Sequence, residues 1–145
     1  MNKKTRQTAG IILLTIPTIE FGGYFLLQVL SGREEELALT TFQQAMFRAG
    51  HAHAGVLVIL SLVALLLASS GKVSKLVENI TCVGFPSAAV LISGGFFAAA
   101  MGAGRTSPNE WIWILYVGVG VLAFSLISLG IALLRAPVEK IEARL

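Results

Sequence analysis

Four long apolar stretches separated by short polar segments dominate the chain. They run over approximately 8–30, 41–70, 78–103 and 108–134. Each is long enough to cross the hydrocarbon core of a bilayer as a helix, which takes roughly 20 apolar residues. The segments between them, SGREEELALT, GKVSK and GRTSPN, are rich in turn formers and short enough to join antiparallel neighbours. The pattern predicts an all-α, up-down transmembrane four-helix bundle forming a single domain over 1–145.

Two of the predicted helices carry start signals. The sequence Thr40-Thr41-Phe42-Gln43-Gln44 contains T-x-x-Q in two overlapping registers, which is the capping-box pattern of a helix N-terminus. The sequence Ser107-Pro108-Asn109-Glu110 offers a cap, a proline in the first turn and an acid near the positive end of the helix dipole. We therefore expect the fourth helix to begin at about Pro108.

Composition agrees with a membrane protein, since 55% of the residues are hydrophobic, only 13% are charged and the mean hydropathy is +0.79. The formal charge of +3 does not indicate nucleic-acid binding, because the basic residues lie at the ends of apolar segments and form no patch. The single cysteine, Cys82, excludes an intrachain disulfide and a cysteine-based metal site. We expect Cys82 to pack as a small apolar residue.

The distribution of Lys and Arg predicts the orientation, because these residues concentrate on the cytoplasmic side. The up-down order places eight of them on one side and three, Arg33, Arg48 and Arg105, toward the other. Both termini are therefore predicted in the cytoplasm, with the first apolar stretch retained as a span. The acidic run 34–36 then faces outward, and Trp111 and Trp113 fit an interfacial aromatic belt.

The third stretch is rich in small residues, including Gly84, Ala88, Ser93, Gly94 and Gly95. Small residues let transmembrane backbones approach closely. We expect this helix to pack tightly within the bundle or against other copies.

Ionisable residues at membrane depth are costly and indicate function by default. Glu20 lies ten residues before the outer end of the first helix, and His51 lies ten residues after the outer start of the second. Both are therefore about 15 Å below the outer ends. Tyr24 and Arg48 are one level closer to the outside. Glu20 is therefore predicted to lie beside the two histidines, and Tyr24 beside Arg48.

Helical spacing groups these residues into faces. Glu20, Tyr24 and Gln28 recur at i, i+4 and i+8, whereas Arg48 and His51 share a face of the second helix. Two polar faces at matching depths predict a buried polar network in the outer half of the bilayer.

The two histidines limit the ligand chemistry of this network. His51 and His53 are two residues apart, or about 200° around a helix, so a regular helix does not direct both at one ion. Either histidine with Glu20 could hold Cu, Fe or Zn, because imidazole and carboxylate suit these metals. Haem could be bound by one histidine opposite Met101, or by histidines from two subunits. In that hypothesis Arg48, beside Tyr24, would face a haem propionate.

Three other interpretations of the polar layer stay open. The layer could bind and release protons in a channel or transporter, because histidine titrates near neutral pH. It could be the face of an accessory subunit that is buried against a larger membrane partner. It could also serve only to pair the helices. The bundle itself is predicted to be a homo-oligomer or a subunit of a membrane complex.

The segment RAGHAHAGVLVILSLV, 48–63, resembles a family of small, uncharacterised bacterial four-span membrane proteins, and PTIEFGGYFL and LTTFQQAMF are similar to the same family. The resemblance implies the fold and a bacterial cytoplasmic membrane, and supplies no activity. A fainter similarity, over about a dozen residues, is to the histidine-bearing helices of haem-copper oxidase core subunits. It implies only that His51 or His53 is a ligand, because the chain lacks the further histidines of such cores.

Overall fold

The computed structural model describes residues 1–32 and 39–136. The acidic run 34–36, predicted to face outward, lies outside the described residues. Four α-helices are present: α1 (Lys3–Leu30), α2 (Thr41–Ser70), α3 (Lys75–Ala99) and α4 (Ile112–Arg135). All four are long and apolar enough to cross a membrane, and the described residues contain no strand. The predicted all-α fold with four helices long and apolar enough to span a membrane is confirmed.

The predicted capping box starts α2. The Thr40 hydroxyl accepts a hydrogen bond from the Gln43 backbone N–H, and the Gln43 side chain in turn accepts one from the Thr40 backbone. The first of the two overlapping T-x-x-Q registers is therefore the one in use. The Gln43 amide also donates to the carbonyl oxygens of Ala100 at 2.9 Å and Gly102 at 2.7 Å, which ties the start of α2 to the end of α3.

The predicted start of α4 was wrong. The helix begins at Ile112, four residues after Pro108, and has no side-chain cap. Asn109 is instead held by the end of α3: its backbone N–H donates to the Ala99 carbonyl, and its side-chain amide donates to the Ala98 carbonyl, both at 2.9 Å. The last carbonyls of a helix lack partners within the helix, so satisfying them delays the start of α4.

The helix α3 lies between α2 and α4, and glycines bring α3 and α4 together. A Cβ added at Gly95 would lie 2.5 Å from the backbone nitrogen of Leu115, and one added at Gly118 would lie 2.9 Å from the backbone nitrogen of Ile92. The backbones therefore touch directly at both places. The predicted tight packing of the small residues of α3 is confirmed within the bundle.

The other side of α3 packs on α2. Gly50 of α2 contacts the ring of Phe97 and the Cβ of Phe96, and a buried cluster joins Leu57 to Ile92. These contacts fix the position of the histidine-bearing turns of α2 relative to α3.

The helix α1 is the most peripheral of the four. Over an apolar stretch of 18 residues, only 11% of the residues are buried in α1, against 44% over the corresponding stretch of α3. Its start is held by polar contacts, because Glu78 of α3 accepts hydrogen bonds from Asn2 at 2.6 Å and from Thr5 at 2.7 Å. Cys82 is 4% exposed and packs with Ile12 and Leu65, which confirms its predicted apolar role.

Replacement of Gly95 by alanine should separate α3 from α4. The added methyl group overlaps the backbone of Leu115, and overpacking of this kind costs about 1–3 kcal/mol. The measurement is the free energy of unfolding in detergent micelles. Gly94→Ala is the matched control, because nothing lies within 4 Å of its added Cβ. Equal stability of the two variants would contradict the direct backbone contact.

Candidate functional site

The half-buried imidazole of His51 packs on the backbone of α1 at Gly23. A Cβ added at Gly23 would lie 2.9 Å from both Cε1 and Nε2 of His51. The absence of a side chain at this position therefore lets the ring sit against the helix. Gly23 belongs to the site although sequence reasoning singled out only the charged and aromatic residues around it.

His53 lies on a different side of α2. Its ring is 4.9 Å from the ring of Phe96 in α3, tilted by 34°. The two histidines thus contact different helices, as the 200° separation of i and i+2 requires. They do not meet at a common point in the chain.

One nitrogen of His53 is already engaged. Nδ1 is 2.7 Å from the carbonyl oxygen of Ala49, one turn earlier in α2. A carbonyl oxygen only accepts, so Nδ1 carries the hydrogen and donates it. Nε2 of the neutral ring therefore keeps its lone pair, and the side chain is exposed on the bundle surface.

The remaining polar residues of the predicted layer share one surface. On α1, Thr15, Thr18 and Ile19 line a space shared with α3, and Gly23 meets α2. Steps of about 100° per residue then put Glu20 and Tyr24 on the side of α1 that faces away from α3.

The same reasoning places Arg48 and Gly55 of α2 beyond the His51 contact, also away from α3. We call the surface formed by Glu20, Tyr24, Arg48 and Gly55 the outer flank. Glu20 and Arg48 are exposed, and Tyr24 is 61% exposed. That Glu20, Tyr24 and Arg48 share a face stays a prediction, whereas the prediction that they are buried is not met within a single chain.

No hydrogen bond or ion pair links Glu20 to His51, or Tyr24 to Arg48, among the described residues. Their backbone depths do match approximately, because His51 touches Gly23, one turn from Glu20.

A metal site within one chain finds no support in this arrangement. The described residues contain no group of three or more His, Cys, Asp or Glu side chains placed to hold an ion. His53 is separated from Glu20 by the width of α2, and His51 is directed at Gly23. The proposed combination of a histidine with Glu20 is therefore not assembled here.

No protein-family model, curated protein or solved structure matches this chain. A function must therefore be inferred from the chain's own residues.

Replacement of Gly23 by alanine should disturb the α1–α2 contact through His51. We expect a loss of about 1 kcal/mol, at the low end for overpacking because the ring can rotate aside. The loss should shrink in the double variant with His51→Ala, giving an interaction energy above about 0.5 kcal/mol in a double-mutant cycle. Gly22→Ala, with nothing within 4 Å of its added Cβ, is the control. Strict additivity would show that His51 does not rest on Gly23.

Proposed function

We propose that this protein is a multi-pass protein of the bacterial cytoplasmic membrane and an interacting component of an intramembrane assembly. Contacts between helix ends support an up-down topology: Glu78 binds the start of α1, Gln43 binds the end of α3, and Leu133 packs on Gly71. The excess of Lys and Arg at one end supports cytoplasmic termini. The resemblance of the segment 48–63 to small bacterial membrane proteins supports the compartment.

The exposure of Glu20 and Arg48 within membrane-spanning helices carries the proposal. A charged side chain at the centre of a transmembrane helix costs about 2.5–3.5 kcal/mol on insertion scales, and such residues almost always face protein or water. Glu20, ten residues before the end of α1, lies near that depth, whereas Arg48, seven residues after the start of α2, lies closer to a helix end. On the isolated chain, both side chains face outward. A second surface that supplies hydrogen-bond partners would remove this cost.

Protein fits the outer flank better than a water-filled path does. Phe21, next to Glu20 in α1, is 71% exposed. A surface that mixes arginine, tyrosine and phenylalanine has the composition of a protein interface. A water path would call for polar groups in place of these aromatic rings. Binding to another transmembrane surface is therefore the function that the geometry supports best.

A photo-crosslinking amino acid at position 24 tests this function in native membranes. We expect p-benzoylphenylalanine in place of Tyr24 to form adducts with protein, because the position lies in the covered flank. The matched control is the same replacement at Tyr116, which is 53% exposed on α4 and should form adducts with lipid. Lipid adducts alone at both positions would contradict a protein-covered flank.

A second candidate function, cofactor binding, rests on His53. A metal-ligating histidine typically donates its other ring N–H to a carbonyl or carboxylate, which fixes the tautomer. Nδ1 of His53 does so with Ala49, which leaves Nε2 available to haem iron or to Cu, Fe or Zn. Further ligands would come from another bundle. Glu20, Tyr24 and Arg48 lie on the opposite flank and take no part in this version of the site.

Titration of the purified protein with ferric haem tests the second candidate. We expect a shifted Soret band that is lost in His53→Ala and retained in His51→Ala, because only His53 presents a free ring nitrogen outward. Elemental analysis of protein purified without added haem checks for Cu, Fe and Zn. Spectra that are unchanged by haem, in protein free of stoichiometric metal, would exclude His53 as a ligand.

A further inference from the structure

The outer flank carries matched chemistry. Glu20 supplies an acceptor, Arg48 supplies donors only, and Tyr24 both donates and accepts. One acid and one base leave the flank without a net formal charge. A surface that holds both signs and both hydrogen-bonding roles can be complemented by a copy of itself.

We infer that the partner covering the outer flank is a second copy of this chain, related by a two-fold axis along the membrane normal. This inference rests on the proposed function and names its partner. A two-fold contact is isologous, so each residue pair forms twice. An axis along the normal also keeps every residue at its own depth, because both copies share one orientation in the bilayer.

The depth of each polar group in the bilayer then decides which groups can meet across the two-fold axis. Tyr24 and Glu20 are one turn apart on α1, or about 6 Å along the helix. The side chains of Tyr24 and Glu20 both tilt toward the N-terminus of α1, and the tyrosine side chain is the longer of the two, so its phenol can extend toward the depth of the carboxylate. Across the axis, the phenol of Tyr24 donates to the carboxylate of the partner's Glu20, and the symmetric bond forms on the other side.

The rest of the flank leaves room for this contact. Nothing lies within 4 Å of a Cβ added at Gly55, so an aromatic ring can enter beside Glu20. Phe21, which is 71% exposed, adds apolar surface next to Glu20. The helix α1 is also the least buried of the four, and docking of α1 and α2 on the same helices of a copy would bury it.

Self-association in phosphatidylethanolamine–phosphatidylglycerol vesicles tests the inference. Chains labelled with donor and acceptor dyes are diluted with lipid, and the dissociation constant is read from energy transfer. We expect dimers for the wild type. Tyr24→Phe removes two symmetry-related hydrogen bonds and should weaken the dimer about tenfold, the scale of interhelical hydrogen bonds in membranes.

Matched variants make the result specific. Glu20→Leu should weaken the dimer at least as much as Tyr24→Phe, whereas Tyr116→Phe on α4 should leave it unchanged. Helicity by circular dichroism identifies any variant that fails to fold, and Glu20→Met, which removes the acceptor but keeps an unbranched side chain of similar length, then replaces Glu20→Leu. Dimers that ignore the changes at both Glu20 and Tyr24 would place self-association on another surface and overturn the inference.

The outcome for the inference is separable from that for the proposed function. A wild-type chain that stays monomeric at every dilution, together with photo-adducts at position 24 that contain a different protein, would overturn self-association and leave intramembrane binding in place. Monomers together with lipid adducts alone would overturn both. Dimers weakened by Tyr24→Phe, with position 24 crosslinked to a second copy, would support both.

Discussion

Direct backbone contact between α3 and α4 is the constraint on which the rest of the bundle depends. It exists because Gly95 and Gly118 have no side chains, which lets the helices meet at Leu115 and Ile92. With α4 held on one side, α3 packs on α2 with the other, where Gly50 contacts the ring of Phe97. The central position is then filled by α3, and α1 is left at the periphery with most of its surface uncovered. The exposure of Glu20 and Tyr24 follows from this order of packing.

Polar contacts concentrate at the two ends of the bundle, where they satisfy helix termini and fix relative depth. At one end, Asn2 and Thr5 hydrogen-bond Glu78. At the other, Gln43 and Asn109 satisfy carbonyl groups at the end of α3. A membrane interior offers no water to replace such partners. Between the two ends, α1 meets α2 at the small surface of Gly23 under His51. The candidate residues Glu20, Tyr24 and Arg48 therefore lie where the bundle leaves side chains exposed.

The helix α2 separates two surfaces that the sequence had suggested were one. His51 faces α1, whereas His53 faces Phe96 of α3 and has its tautomer set by Ala49. The outer flank and the His53 surface are both incomplete within one chain, the first in hydrogen-bond partners and the second in ligands. Association with another bundle would complete either surface. This shared requirement connects the two candidate functions without making them the same site.

Hydropathy alone determined the number of helices, and local chemistry determined the start of α2 at its capping box. The 3.6-residue period correctly divided His51 from His53 and grouped Glu20 with Tyr24, because these relations depend only on the geometry of one helix. The tertiary structure decided what depends on two helices. The side chain of Asn109 donates a hydrogen bond to the end of α3, so α4 starts later than its own sequence suggests. Glu20 and His51 have matching backbone depths, yet in the described part of the chain no hydrogen bond joins them, because the His51 ring packs on the backbone at Gly23.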